Sequence, residues 1–429
     1  MLGLAVDLDS GAIEYFKNGS SVYSTTTPWL VGSTWFPTFA NETGATTKAF
    51  TVNFGQGGQS GLTYDSASGG YFKYIPPSGF KALSTANLPV PTIAIPKNYF
   101  DALTYTGNGS TQSITGLNFQ PDFAWIKARS VAYYQRLIDS VRGSTKVFYL
   151  PTTDAETTIP NVNDGSFSFD ANGFSLGNGV GMNESAQTYV SWLWKESPTS
   201  GMDIVTFSGT GSGSQNVAHS LGVAPSLMIL KFRNTTSNFS IYHSALGNTK
   251  RLTFTTAAAE TSSTYWNDTS PTATQFTVGS DLNQAFNYVV YLFADVAGFS
   301  KFGSYTGNGS ATDGPFVYTG FKPRFVMVKR STSVGNWYVL DTARNTYNPV
   351  ENTLKPNTNA AEVAETIDEI DALANGFKIR GNDGALNANT DTYIYAAFAD
   401  VPFYYSAQPA ASVASASNAA VTFLMGMTF

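Results

Sequence analysis

Apolar residues along this chain fall mainly in short runs separated by glycine, asparagine, serine or proline. Three such runs start at a proline and end at a lysine, at residues 121–127, 225–231 and 323–329. Apolar runs of this length, bounded by turn residues, are typical of buried strands. A second set of runs, at residues 189–194, 288–293 and 393–398, starts with tyrosine and carries an aromatic residue five positions later. The pattern predicts strands across most of the chain.

These runs belong to a repeat that is written three times. Tyr-Thr-Gly-Asn-Gly stands at residues 105–109 and 305–309, and Phe-Ser-Gly-Thr-Gly stands between them at residues 207–211. This period of about 100 residues exceeds the ~20–50 residues of a solenoid unit, so we expect tandem domains that each have a core. The strand count and turn spacing of each copy predict an all-β chain of tandem antiparallel β-sandwich domains.

The repeat divides the chain into six segments. They are a partial sandwich at residues 1–85, a proline-rich linker at 86–98, three repeats at 99–199, 200–298 and 299–405, and a C-terminal tail at 406–429. Residues 360–370 are the single helix candidate, because Val363, Ile367 and Ile370 would share one face. The tail is Ala/Ser-rich before its apolar end, and we expect that end to pack as a strand on its own repeat, a neighbouring domain or another chain.

Hairpins are predicted in the first segment. Asn18 and Gly19 tolerate positive φ and therefore favour a tight turn, and residues 35–39 and 50–55 are predicted to form two further strands. Residues 6–11, 15–19, 35–37 and 52–55 resemble the second half of a SPRY domain, and residues 76–83 resemble the segment that closes such domains in phage structural proteins. The resemblance implies a β-sandwich used for binding. The sandwich is therefore expected either to be truncated here or to be completed by another chain or segment, because half a sandwich leaves an apolar face uncovered.

Composition narrows the classes of partner. Charged residues make up 13% of the chain, the net charge is -6 and the pI is near 5.0, which does not favour binding to a nucleic acid. The chain has no cysteine, which favours a prokaryotic or viral source over an extracellular animal module. We recognise no signal peptide, and no apolar run approaches the ~20 residues of a membrane span, so we expect no membrane insertion.

Candidate catalytic groups are few. His219 and His243 are the two histidines, and the positions aligned with His243 carry Asp139 and Asp341, so a structural or surface role is favoured. The recurring pairs Asp139/Arg142 and Asp341/Arg344 are predicted to be exposed ion pairs that hold a turn, rather than a ligand clamp.

Other candidate sites also have simpler structural interpretations. The carboxylates of residues 7–11 lack the closing glutamate of a calcium loop and fit a hairpin. The glycines of residues 209–214 lack the lysine and helix of a phosphate loop. An acidic cluster remains as a weak candidate for glycoside hydrolysis; it comprises Asp154, Glu156, Asp164 and Asp170. We therefore predict no catalytic residue, no metal site and no cofactor.

Aromatic residues between the strands are the candidate recognition residues. Flat amphipathic rings stack on sugars or anchor protein contacts, although they also cap a sandwich or fill an oligomer interface. The candidates are Tyr133, Tyr134, Tyr265, Trp266 and Tyr347. Specificity is expected where the three copies disagree, at residues 127–167, 231–276 and 329–377.

Residues 99–405 resemble a domain found in phage virion and tail-fibre proteins, which is marked by Tyr-Thr-Gly-Asn-Gly, Gly-Phe-x-Pro and a strand ending in Val/Ile-Lys. The resemblance implies a non-enzymatic virion protein, most specifically a tail fibre or appendage for host attachment. It would assemble with other virion proteins and with itself, as a trimer, and would contact a host glycan or protein. The alternatives are a capsid-surface decoration protein and a polysaccharide-degrading tailspike.

Overall fold

A computed structural model describes residues 1–7, 10–27, 51–55, 60–83, 87, 90–161, 163–254, 260–261, 264–365 and 369–402. One compact unit lies within Met1–Pro89 and a second within Val90–Ala407. The described strands pair in antiparallel sheets, which confirms the all-β prediction. The C-terminal tail and the predicted strand at residues 35–39 lie outside the described residues.

The first unit contains a three-stranded meander and a separate hairpin. The meander is β1 (Leu2–Asp7), β2 (Ala12–Lys17) and β3 (Ser20–Thr26), and the hairpin is β4 (Thr63–Asp65) and β5 (Gly70–Phe72). Asn18 and Gly19 join β2 to β3 with φ of 52° and 85°, so the predicted tight turn is confirmed. The strand predicted at residues 50–55 is wrong in its described part, since residues 51–55 form no strand.

The first repeat consists of two sheets packed face to face. Its elements are β6 (Phe100–Thr106), β7 (Gln112–Thr115), β8 (Phe123–Ala128), β9 (Gln135–Asp139), β10 (Lys146–Leu150), β11 (Thr157–Thr158), β12 (Phe167–Asp170), β13 (Gly173–Leu176), α1 (Val180–Asn183) and β14 (Thr188–Trp194). The inner sheet has the order β11-β10-β9-β8-β14-β6, and the outer sheet has the order β12-β13-β7.

The second repeat has the same plan with a shorter inner sheet. Its strands are β15 (Met202–Ser208), β16 (Gln215–Ala218), β17 (Leu227–Phe232), β18 (Ser240–His243), β19 (Lys250–Arg251), β20 (Glu260–Thr261), β21 (Gln275–Val278) and β22 (Asn287–Phe293). The inner sheet is β15-β22-β17-β18, the outer pair is β16-β21, and β19 pairs with β20.

The third repeat follows the second closely. Its strands are β23 (Ser300–Thr306), β24 (Phe316–Tyr318), β25 (Phe321–Arg330), β26 (Trp337–Asp341), β27 (Asn352–Thr353), β28 (Val363–Ala364), β29 (Ile370–Leu373), β30 (Gly376–Ile379) and β31 (Thr392–Pro402). The inner sheet is β23-β31-β25-β26, the outer sheet is β24-β30-β29, and β27 pairs with β28. The predicted helix at residues 360–370 is wrong, because Val363–Ala364 is a strand and Ile370 begins β29.

The closing phrase of each repeat lies at the centre of its inner sheet. β14, β22 and β31 are each flanked by the opening strand of their repeat and by the strand that ends in lysine. Side chains on one face pack against the outer sheet and give each repeat a core cluster of its own. Each repeat therefore has the two-layer packing expected of a sandwich.

The opposite faces of the three inner sheets meet in one shared core. Trp194, Phe293 and Phe398, the aromatic residues that close the three phrases, lie in mutual contact, with ring centroids 5.5–5.9 Å apart. They line a small void of about 10 Å³ together with apolar residues of all three repeats. The repeats thus form a closed ring around a common apolar axis, in addition to keeping separate outer cores.

The shared core also extends into the predicted linker. Ile93 is 2% exposed and belongs to this core, and Pro96 opens a short 3-10 turn, Pro96–Asn98, that leads into β6. Ile93 and Pro96 of the predicted linker are therefore packed against the repeats. The domain boundaries remain a prediction from the sequence.

Candidate functional site

Three equivalent polar residues singled out in the sequence lie at the three seams where one repeat meets the next. We name these the repeat 1/2, 2/3 and 3/1 seams. In each, the strand β9, β18 or β26 ends at a polar residue that faces the central strand of the following repeat. The equivalent residues are Asp139, His243 and Asp341.

The repeat 1/2 seam is a chain of buried charges. Arg142 Nε donates to Asp139 Oδ2 at 2.5 Å, and both side chains are 0% exposed. From the second repeat, Tyr291 Oη donates to the same carboxylate oxygen at 2.8 Å. Glu156 accepts from Arg142 at 3.1 Å and from Arg233 of the second repeat at 3.0 Å. Burial raises the pKa of Glu156, but the bonds and charges of the two arginines outweigh it and leave that pKa lowered.

The repeat 3/1 seam reproduces this arrangement. Arg344 Nε donates to Asp341 Oδ2 at 2.6 Å, and Trp192 Nε1 of the first repeat donates to the same oxygen at 3.0 Å. Glu362 accepts from Arg344 at 2.8 Å and from Arg129 of the first repeat at 2.7 Å. The two Asp/Arg pairs are therefore structural, as predicted, but the prediction that they are exposed is wrong. They are buried because each lies between two repeats.

The repeat 2/3 seam uses a neutral group in place of these charges. His243 is 1% exposed; its Nε2 lies 3.1 Å from the Tyr395 carbonyl oxygen, and its Nδ1 accepts from the Ala245 amide at 3.2 Å. This pattern fits the neutral tautomer with the proton on Nε2. Burial lowers the pKa of His243 to about 4. Leu246 stands in the place of the seam arginine, and Ala396 in the place of the facing donor.

A buried lysine at the end of β8, β17 and β25 accompanies each seam. Lys127, Lys231 and Lys329 are each 0% exposed. Lys127 Nζ donates to three carbonyl oxygens, one of which belongs to Asn359 of the third repeat at 3.2 Å. Lys231 Nζ likewise reaches the Thr153 carbonyl of the first repeat at 2.9 Å. Burial lowers the pKa of Lys127 to about 7 and that of Lys231 and Lys329 to about 8.

Three buried asparagines were missed by the sequence reasoning. Asn183 Oδ1 accepts from the Asn108 backbone amide at 3.0 Å and so holds the glycine loop of the first repeat. Asn283 and Asn387 hold the other two loops through the same bond, at 2.8 and 2.9 Å. A recurring signal was available, because each asparagine stands five or six residues before the tyrosine of the closing phrase.

The glycines of the repeated phrase are required by close packing. A Cβ on the first glycine would lie 2.0–2.2 Å from a carbonyl oxygen in every copy, at Gly107, Gly209 and Gly307. The glycine loop, which follows the opening strand, therefore packs against the loop that precedes the closing strand. Its first glycine leaves space for the backbone of that second loop, so the glycines have the structural role that the comparison of the three copies predicts.

The predicted recognition residues differ in exposure. Tyr347 is 86% and Tyr134 is 46% exposed, so both rings reach the surface. Tyr133 is half-buried and donates to Glu184 at 2.7 Å, and Tyr265 is half-buried beneath the Arg251 guanidinium. Trp266 is 1% exposed, so its placement on the surface is corrected. It packs on Tyr242 and belongs to the core of the second repeat.

The five aromatic residues lie on all three repeats, in loops at different places of the sandwich.

Two further exposed aromatic residues lie on a strand of the third repeat. Phe316 and Tyr318 on β24 are 45% and 58% exposed, where the equivalent strands β7 and β16 present serine, threonine, asparagine and alanine. Comparison of the three copies at this strand would have found them in the sequence.

The predicted acidic cluster is separated in the structure. Asp164 is 1% exposed and accepts from Arg136 at 2.7 Å, Glu156 belongs to the repeat 1/2 seam, and Asp170 accepts from Ser175 at 2.6 Å. These carboxylates are thus held by their own partners rather than directed at one groove. Within the described residues, no group of three acidic or histidine side chains is arranged to hold a metal ion.

One carboxyl outside these seams has a raised pKa. Glu196 accepts from the Ile204 amide at 3.0 Å, and burial and the neighbouring Asp203 raise its pKa to about 7. The equivalent acid at the next junction, Asp295, instead pairs with Lys301 at 2.5 Å. Because the same place holds an acid pair in one copy and an ion pair in another, we interpret it as part of the junction between repeats.

The comparison with protein families identifies the repeat region. Residues 95–402 match the model of a domain of unknown function, DUF7483. The chain belongs to the DUF7483 family. The matched residues include all three repeats and the seams between them, so the family model covers the whole ring. No curated protein matches the sequence. Among the described residues, no helix has the length and hydropathy needed to cross a membrane.

Proposed function

We propose that this DUF7483 protein is a non-enzymatic structural component of a phage virion, a tail fibre or related appendage that takes part in host attachment. The observation that supports it is the use of the buried charges at the seams. Asp139, Arg142 and Glu156 bind one another and the second repeat, as do their counterparts at the repeat 3/1 seam. Groups committed in this way stabilise a rigid body and are poorly placed to act on a substrate.

The exposed aromatic residues are the proposed attachment surface. Tyr134 and Tyr347 present rings to solvent on variable loops, and Phe316 and Tyr318 present two more on an edge strand. Aromatic faces of this kind stack on pyranose rings or anchor protein partners. The proposed partner is therefore a glycan or protein of the host surface, and the remaining surface would meet other virion proteins. We also propose a homotrimer, which the mass of the purified protein would test.

Two experiments test this proposal. Immunogold labelling of virions from the encoding phage should place the protein on the tail. Labelling on the capsid would support a decoration protein instead, and virions without the protein would refute a structural role.

The second experiment measures binding of the purified protein to host cells. The double variant Tyr134→Ala and Tyr347→Ala should weaken binding about tenfold or more, since aromatic hot spots contribute about 2 kcal/mol or more. Val334→Ala, at a loop residue that is 73% exposed, is the control and should bind as the unmodified chain does. Equal binding by all variants would place recognition elsewhere.

A further inference from the structure

The meander of the first unit carries an uncovered apolar face. The strand register places Leu4 opposite Tyr15, and Tyr15 opposite Tyr23, so these side chains share one face with Leu2 and Val6. Leu2 is 83%, Leu4 57%, Tyr15 43% and Tyr23 60% exposed. The sheet is therefore open on the side where most of its large apolar residues lie, with Lys17 at the edge of that face opposite Leu2.

The other face of the same sheet is mixed in character and better covered. Ala5 is 7% exposed, and the register places Gly3 and Asp7 of β1 on its face with Glu14 and the half-buried Phe16 of β2. A three-stranded sheet normally buries its apolar face, because contiguous apolar patches of this kind are unfavourable in water. The face thus requires a cover of matching chemistry.

The end of the chain has the sequence of such a cover. From residue 421 to 429, the odd-numbered positions are Val421, Phe423, Met425, Met427 and Phe429. The positions between them are threonine, leucine, glycine and threonine, so the alternation predicts a strand with one continuous apolar face. Residues 403–429 contain no aspartate, glutamate, lysine or arginine. Such a segment can be buried without the cost of removing a charge from water.

A long tether separates the described part of the second unit from the apolar segment. The second unit ends its last strand at Pro402, and residues 403–420 stand between it and the apolar segment. A tether of that length spans up to ~60 Å when extended. Its Ala/Ser-rich sequence carries no apolar periodicity that would give it a partner of its own.

We propose that residues 421–429 of the same chain dock as a strand on the open face of β1, β2 and β3. The odd-numbered apolar side chains lie on Leu4, Val6 and Tyr15 and form the second layer of a small sandwich. The inference concerns the first unit and is independent of the proposed attachment role.

Cross-linking tests where the segment lies. The chain has no cysteine, so Leu4→Cys combined with Met425→Cys gives the two sole thiols of the full chain. A bismaleimide with a span of about 10 Å should link them at the mass of one chain, 45.9 kDa. Glu14→Cys with Met425→Cys, on the opposite face, is the control and should give less than a tenth of that product. Equal yields, no product, or a product only at twice the mass would overturn the proposal.

Hydrogen exchange provides a second readout in the full chain. Phe423→Asp should make the amides of β1 and β2 exchange about tenfold faster, because the cover is lost. Thr422→Asp changes the neighbouring residue of the opposite phase and should leave exchange within twofold of the unmodified chain. Deletion of residues 421–429 should reproduce the Phe423→Asp result. Unchanged exchange after the deletion would show that another segment, such as residues 28–50, covers the face.

Discussion

The repeat 1/2 and 3/1 seams join their repeats through buried charges, whereas the repeat 2/3 seam joins its repeats through a neutral imidazole. All three seams border the same apolar core and use the ends of equivalent strands. The neutral seam lacks the aspartate and the arginine of the charged seams, which are replaced by His243 and Leu246. The ring therefore closes with either chemistry, and the charge is an addition to a geometry that apolar packing already supports.

The substitutions at the neutral seam are coupled. Where the strand ends in His243, the facing central strand carries Ala396 in place of a tyrosine or tryptophan donor, and Ser331 stands where the other copies have an arginine. A buried charge is stable only when its partners are all present, so one change favours the others. The difference between the seams indicates that the aspartate, the glutamate and the two arginines of a charged seam stabilise one another as a single network.

The largest effect is expected from breaking a charged seam. Arg344→Ala removes the counter-charge of the buried Asp341 and a partner of Glu362. We expect the free energy of unfolding to fall by about 3–5 kcal/mol. Equilibrium urea unfolding followed by tryptophan fluorescence measures this loss.

The matched control is Leu246→Ala, at the same place in the neutral seam. Leu246 is half-buried, so its loss should cost only about 1 kcal/mol. Similar losses in the two variants would contradict the distinction between charged and neutral seams.

A second experiment introduces the charge without its partners. His243→Asp places a carboxylate beside the Tyr395 carbonyl, with no arginine at position 246 and no donor at position 396. We expect a loss of about 3 kcal/mol at pH 7, measured by the same urea titration.

His243→Asn keeps a donor for the carbonyl and should lose far less. Adding Leu246→Arg to His243→Asp should recover part of the stability, because it restores the counter-charge. If His243→Asp is as stable as the unmodified chain, water reaches the repeat 2/3 seam and solvates the carboxylate there, and the distinction between charged and neutral seams does not hold.

A third prediction concerns acid. The pKa of His243 is lowered to about 4, below its ordinary value of 6.5, so between these values the unfolded chain binds a proton that the folded chain does not. The contribution of His243 to the free energy of unfolding should therefore fall by about 1.4 kcal/mol for each pH unit from 6.5 down to 4. Glu196, whose pKa is raised to about 7, acts in the opposite sense over this range, so the His243 contribution is measured as the difference from His243→Asn. Glu156 and Glu362 have lowered pKa values, and their contribution is present above about 4.5 and lost only below it.

The neutral seam should consequently loosen first on acidification. Hydrogen exchange at pH 6.5, 5.5 and 4.5, corrected for intrinsic rates, should show β18 losing protection before β9 and β26. His243→Asn removes the titrating group and should abolish the order. Simultaneous loss in all three strands would argue against a role for His243.

The smallest effect is expected at the buried lysines. Lys231→Met leaves the Thr153 and Ser237 carbonyls without this donor, at a cost of about 1–3 kcal/mol. Lys146→Met, where the ammonium bonds Thr158 at the surface, should cost less than about 0.5 kcal/mol. Urea unfolding of both variants tests the difference. Equal losses in the free energy of unfolding would mean that water replaces the ammonium as the donor to these carbonyls.

Parts of the candidate site were readable from the sequence because they recur. The aligned positions of Asp139, His243 and Asp341 identify a structural place, and the structure puts all three at seams. The burial of Arg142 could not be read in this way, because exposure depends on a neighbour more than a hundred residues distant. The prediction that Trp266 lies on the surface was wrong for the same reason. A tyrosine-tryptophan pair in a loop has the same sequence whether the indole faces water or the core of the second repeat.

The sequence by itself determined the repeated strands, the three-fold repeat and the Asn18-Gly19 turn, because these patterns are either local or recur along the chain. It failed for the described part of the strand predicted at residues 50–55 and for the helix predicted at residues 360–370. The Asn18-Gly19 turn records a local backbone requirement directly. The glycines at 107, 209 and 307 could be recognised only because they recur, since the carbonyl oxygens they approach belong to distant parts of the chain. Only the tertiary structure decided that the repeats share one core. The central strands are apolar on both faces, as in β14 and β22, so no alternation marks which face meets the outer sheet and which meets the axis. The meeting of Trp194, Phe293 and Phe398 follows from that choice of face, which is made by packing between repeats.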